Sequence, residues 1–162
     1  MLKPDRNPVL ESIDYFITTT GDAGRIAFAA TGTQPVGNGL DSTNNKIEYI
    51  NAIATSGRKP VGIVLQPVVN IDLSRQQKNP YNEEQQVNGK VLVGVIGEYN
   101  TNAWGSGQLG SSVVVPAKVY AGPSGLMYTD NFSGSGWPLV GHALTLKDSD
   151  GFAKVRINAT LA

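Results

Sequence analysis

Two hexapeptides set the limits on how this chain can fold. Pro60-Val61-Gly62-Ile63-Val64-Leu65 and Leu139-Val140-Gly141-His142-Ala143-Leu144 share one pattern: two apolar residues, a glycine, a free position, a small apolar residue and Leu. A glycine at the centre of such a β-rich segment marks a bulge, a sharp bend or another backbone close by. Two of them at matching positions suggest two matching corners of one barrel. Around the later copy lie Ser112–Ala121, Gly125–Thr129 and Gly151–Ala159, each bounded by Gly, Pro, Asn, Asp or Ser. Short strands separated by turn residues point to an all-β chain, a small barrel or sandwich of about eight short strands.

The chain divides into an N-terminal arm, residues 1–20, and a β-barrel domain, residues 21–162. Pro4 and Pro8 interrupt any regular start, while Leu2, Val9, Leu10, Ile13, Tyr15, Phe16 and Ile17 make the arm too apolar to stand free in water. It either packs on its own barrel or docks onto a neighbouring subunit by strand addition or groove filling.

Strands are expected over Arg25–Ala30, Lys46–Ala54, Pro60–Gln66, Val68–Leu73 and Lys90–Gly97, the last apolar on both faces and so a central strand. Pro116 within Ser112–Ala121 implies an edge position or a bulge there. The closing segment alternates most cleanly. Ala153, Val155, Ile157 and Ala159 share one face, and Phe152, Lys154, Arg156 and Asn158 the other. Asn88-Gly89 is a tight-turn dipeptide. Ser74–Asn88 is a polar loop of a length that often carries function, and its Arg75 and Tyr81 are residue types favoured at interface hot spots. Trp104 stands in a Gly/Ser-rich loop, either as a lid over the barrel end or as an interface anchor.

Composition excludes several functions. The 13 basic and 13 acidic residues cancel, leaving no field to hold nucleic acid or an anionic membrane. No apolar run approaches the roughly 18 residues of a membrane span. Without Cys there is no disulfide, zinc–thiolate site or thiol nucleophile. The first residues lack the apolar stretch of a secretory signal, so the chain is expected to be made in a cytoplasm.

No set of residues assembles a catalytic or metal site. His142, the single His, has no Gly-x-Ser-x-Gly nucleophile elbow to serve. Asp148-Ser149-Asp150-Gly151 opens like a calcium loop but lacks the later ligands, and reads as a β-turn. No glycine-rich loop precedes a helix to cradle phosphate, which also disfavours a trimeric nucleotide hydrolase. The chain is expected to be no enzyme and to need no cofactor, metal or small-molecule substrate.

The order of segments from Lys59 onward resembles small capsid decoration (cement) proteins of tailed bacteriophages. The resemblance lies in the Val-Gly-x-[Val/Ala]-Leu strand, Gly89-Lys90-Val91, Val115-Pro116-Ala117-Lys118-Val119-Tyr120, Gly125-Leu126-Met127-Tyr128-Thr129, the second glycine-centred strand, and Asp150-Gly151-Phe152-Ala153-Lys154-Val155. Met1–Arg6 and Val69–Gln76 are similar to virion structural proteins of marine and cyanobacterial phages. The resemblance implies a β-barrel on the outer surface of a virion, commonly a homotrimer, that clamps major capsid protein subunits. Leu2, Pro4, Arg6, Val9, Ile13, Tyr15 and Phe16 of the arm would then bind the capsid, with Arg75, Tyr81 and Trp104 on interface loops. A glycan-binding tail or fibre domain is the alternative.

Overall fold

The computed structural model describes residues 9–30, 46–49, 58–70, 84–129 and 136–159, with the backbone alone over 9–14. These residues form eleven strands and one short 3-10 turn, Pro123–Gly125. The first strands are β1 (Val9–Ile17), β2 (Ile26–Ala29), β3 (Lys46–Glu48), β4 (Pro60–Val64), β5 (Val68–Val69) and β6 (Gln85–Gln86). They are followed by β7 (Lys90–Thr101), β8 (Ala117–Ala121), β9 (Met127–Tyr128), β10 (Leu139–Ala143) and β11 (Ala153–Asn158).

Strand β7 joins the two halves of the molecule. Its first part pairs with β1 along one edge and with β4 along the other, and the order β1-β3-β2-β4-β7 returns to β1, closing a five-stranded barrel. Its second part pairs with β11, register Ile96↔Asn158 to Thr101↔Ala153, and the sheet continues through β10, β8 and β9. Strand β9 does not end in a bare edge. Met127 N–H donates to the Ala103 carbonyl and Gly105 N–H to the Met127 carbonyl, each at 2.9 Å, so the second sheet is tied back to the segment that leaves β7. Pairing or covering an edge removes the template on which a stray strand could add.

Two apolar clusters fill this frame. Tyr15, Ile17, Ala27, Ile47, Val64, Val91 and Val93 pack inside the barrel. Ile26, Phe28 and Ile63, on the barrel's outer side, join Val95, Tyr99, Val119, Met127, Val140, Val155 and Ile157 from the second sheet. Because Ala27 faces inward and Ile26 and Phe28 outward, β2 is buried on both faces, as is all of β4. Strands β2 and β4, rather than β7, are thus the strands with two dry faces. The central position expected for Lys90–Gly97 is confirmed by its pairing, yet Leu92 is exposed.

The glycine-centred strands behave as the sequence implies in one respect and differ in another. A Cβ at Gly62 would overlap the Gly94 carbonyl and lie 2.8 Å from Val93 Cγ1, and one at Gly141 would overlap the Arg156 carbonyl. Both glycines therefore allow close approach of a neighbouring backbone. They are not two corners of one barrel: β4 belongs to the closed barrel and β10 to the continuation of the same nine-stranded sheet beyond β7 and β11. Strand β7 also runs past Gly97 to Thr101, because Tyr99 and Thr101 continue the alternation of buried positions begun at Val91, Val93 and Val95. Pro116 lies just ahead of β8 rather than within it, so β8 sits between β10 and β9 with both edges paired.

Both predicted turns are present. Asn88 adopts a left-handed φ of 67°, and Gly89 N–H donates to the Gln86 carbonyl at 2.8 Å as the chain enters β7. Asp148 Oδ1 accepts from the N–H groups of Asp150 and Phe152 at 3.0 and 2.8 Å. Its carboxylate thus caps a turn into β11, as an Asx motif does.

Candidate functional site

The interior polar groups come first, because a buried polar group is either structural or poised for chemistry. Thr101 is fully buried; its hydroxyl donates to the Gly24 carbonyl at 3.1 Å and accepts from Ala103 N–H at 3.1 Å. It fastens the end of β7 to the turn before β2. Gln108 Oε1 accepts from Thr129 N–H at 2.8 Å and from Thr129 Oγ1 at 2.9 Å, holding the end of β9. Tyr99 is 1% exposed, and its hydroxyl has no partner among the described residues. Burial pushes the Tyr99 hydroxyl up to about 12 because desolvation disfavours the phenolate.

Trp104, expected as a lid or an interface anchor, is buried within the chain. It is 6% exposed, packs in the second cluster, and its indole Nε1–H donates to the Thr101 carbonyl at 2.9 Å. It closes the end of the second sheet as a lid. Tyr15, expected to face a capsid, is likewise buried in the barrel's own core, because it points inward from β1. Phe16 is half-buried, with Lys90 Nζ 5.6 Å from its ring centroid. Val9 and Ile13 stand opposite Gly97 and Val93 of β7, so residues 9–17 of the expected arm are an integral strand of the barrel. Leu2, Pro4, Arg6, Arg75 and Tyr81 lie outside the described residues.

His142 is half-buried on β10, in register with Lys118 of β8 and Arg156 of β11. Among the described residues no three of His, Cys, Asp and Glu converge as metal ligands, and no helix is long and apolar enough to cross a membrane.

One cavity, of about 330 Å³, opens at an end of the barrel. The parallel strands β1 and β3 both finish there and the antiparallel β2 begins there. The residues just beyond those strand ends line it: Thr18, Thr19 and Thr20 after β1, Tyr49 after β3, and Arg25 before β2. Asn70 and Val87, which follow β5 and β6, add to the wall. The hydroxyl groups are oriented by the backbone. Thr18 Oγ1 donates to the Ile47 carbonyl at 3.2 Å, and Thr19 Oγ1 accepts from Tyr49 N–H at 2.7 Å. Arg25 Nη2 pairs with Asp22 Oδ2 at 2.9 Å. Tyr49 is 4% exposed, and its hydroxyl donates to the Asp22 carbonyl at 3.3 Å. Desolvation holds its ionisation far above the ordinary tyrosine range; Arg25 opposes this and Asp22 adds to it.

Sequence reasoning missed this cavity. Its only local trace is the run Thr18-Thr19-Thr20-Gly21 directly after an apolar segment. No protein-family model matches the chain, and no curated protein matches it.

Proposed function

We propose that this protein is a structural decoration protein of a phage head, binding the outer capsid surface and stabilising contacts between major capsid protein subunits, as a homotrimer. The observation that supports it best is how the fold uses its polar interior. Thr101, Gln108 and the Trp104 indole all bond to backbone or to a strand-end residue and so stiffen the shell. A rigid, edge-protected β body suits a clamp, since little order is lost on docking. A ligand that binds only the assembled shell stabilises it by mass action, and a trimer bridging several capsid subunits multiplies weak contacts.

The test is co-sedimentation with purified heads that lack the protein, followed by heating of the decorated heads. Saturable binding and later release of DNA on heating are the expected results. Protein that stays in the supernatant, or heads whose DNA release is unchanged, would refute the proposal. The glycan-binding alternative is favoured by one observation, the hydroxyl-lined cavity at the barrel end.

A further inference from the structure

We propose that the cavity at the barrel end is a binding site for one neutral sugar unit, recognised by the hydroxyls of Thr18, Thr19 and Thr20 with Asn70. Each hydroxyl has a definite hydrogen-bonding capacity left to offer. Thr18 Oγ1 commits its proton to the Ile47 carbonyl and retains lone pairs, so it accepts. Thr19 Oγ1 commits a lone pair to Tyr49 N–H and retains its proton, so it donates. A hydroxyl has one donor and two acceptor positions, so Thr18, its proton spent, can only accept, while Thr19 keeps its proton and a second lone pair. An acceptor beside a donor is complementary to a sugar hydroxyl pair, each member of which both gives and receives a hydrogen bond. Thr20, exposed at the rim, and the Asn70 side chain add adaptable groups of both kinds.

Charge decides between a neutral and an anionic ligand. Among the described residues Arg25 is the one charged member of the lining, and its guanidinium already holds the Asp22 carboxylate. With that charge cancelled, a carboxylate or phosphate has little to gain by entering. The described lining also disfavours a purely apolar ligand, because among its residues only Val87 and the Tyr49 ring supply an apolar wall. A sugar ring, with hydroxyls around its edge and C–H groups on its faces, matches that division. A volume of about 330 Å³ lies at the small end of ligand pockets, which run from about 300 to 1,000 Å³, and suits a single ring. This proposal does not rest on the capsid reading: head binding and sugar binding can succeed or fail separately.

The experiment is an amide ¹H–¹⁵N titration of the whole chain with glucose, galactose, mannose and N-acetylglucosamine, each run beside sodium acetate and phosphate. At least one neutral sugar should give saturable shifts confined to the amides of residues 18–21, 25, 49, 70 and 87, with a dissociation constant on the order of 1 mM. Thr20→Val keeps the shape and removes one rim hydrogen bond, so it should weaken binding about three- to tenfold without changing the rest of the spectrum. Should that variant fold poorly, the wild-type shift map still decides. Four results would overturn the proposal: no saturable shift with any sugar, saturation by acetate or phosphate alone, shifts centred elsewhere, or undiminished affinity in a well-folded Thr20→Val.

Discussion

Removing the Tyr99 hydroxyl should make the protein more stable, against the usual direction for a core change. Tyr99 sits on β7 where the barrel meets the second sheet, 1% exposed, and its oxygen finds no hydrogen-bond partner among the described residues. That oxygen lies against the backbone of Gly94, where there is no room for even a methyl group. Burying a hydroxyl without a partner costs about 1–3 kcal/mol in lost hydration. Tyr99→Phe removes this penalty, keeps the ring in the cluster with Val95 and Val155, and forfeits only the weak dispersion contacts of one atom. The net expectation is a gain of about 1 kcal/mol, or about 2–4 °C in Tm for a chain of this size. Urea unfolding of both proteins measures it, with an unchanged m value showing that the two states compared are the same. A loss of about 1 kcal/mol or more would show that the hydroxyl is satisfied in solution, and the reasoning would fail.

Other consequences are as direct. With the Tyr99 hydroxyl raised to about 12 in the fold and near 10 in the unfolded chain, its contribution is whole below pH 10. It is lost as pH climbs from about 10 towards 12, on the order of 2–3 kcal/mol, because only the unfolded chain ionises in that window. Tyr49 acts in the same direction, so Tyr99→Phe should reduce the alkaline loss without abolishing it. A urea series from pH 8 to 11.5 reads this, and a flat profile would contradict it. Gly141→Ala drives a methyl into the Arg156 carbonyl and should cost about 3 kcal/mol or more, in the range of strained overpacking. Gly107→Ala, with open space around it but a φ of 74°, should cost only about 1 kcal/mol; equal losses in the two would contradict the close-approach argument. Trp104→Ala should cost about 3–5 kcal/mol of folding stability, whereas an exposed interface residue would leave the melting curve in place.

Much of the frame was legible because its signals are local. The alternation of Ala153, Val155 and Ile157 is a period-two pattern with one wet face, and these three residues are all buried. Gly62 and Gly141 announce backbone contact, and Asn88 and Asp148 announce turns whose chemistry lies in one or two residues. The fold class follows from these. Other features are not local. Trp104 sits among small, polar neighbours that read as a free loop, yet its partners are Thr101 and the distant Met127. The closure of the barrel depends on β1 pairing with β7 some eighty residues away, and a segment with mixed polarity such as Val9–Ile17 gives no sign of which side of the domain it joins. The cavity is hidden most thoroughly. Its residues come from positions next to the ends of β1, β2, β3, β5 and β6, so beyond Thr18, Thr19, Thr20 and Arg25 no two of them are neighbours in sequence.

The capsid proposal meets its most direct test in a cryo-electron microscopy reconstruction of the parent head. The account predicts density for this β body on the outer surface, three copies around each site and touching more than one major capsid subunit. A bare outer shell, with the chain found only in the tail or not in the particle at all, would contradict it.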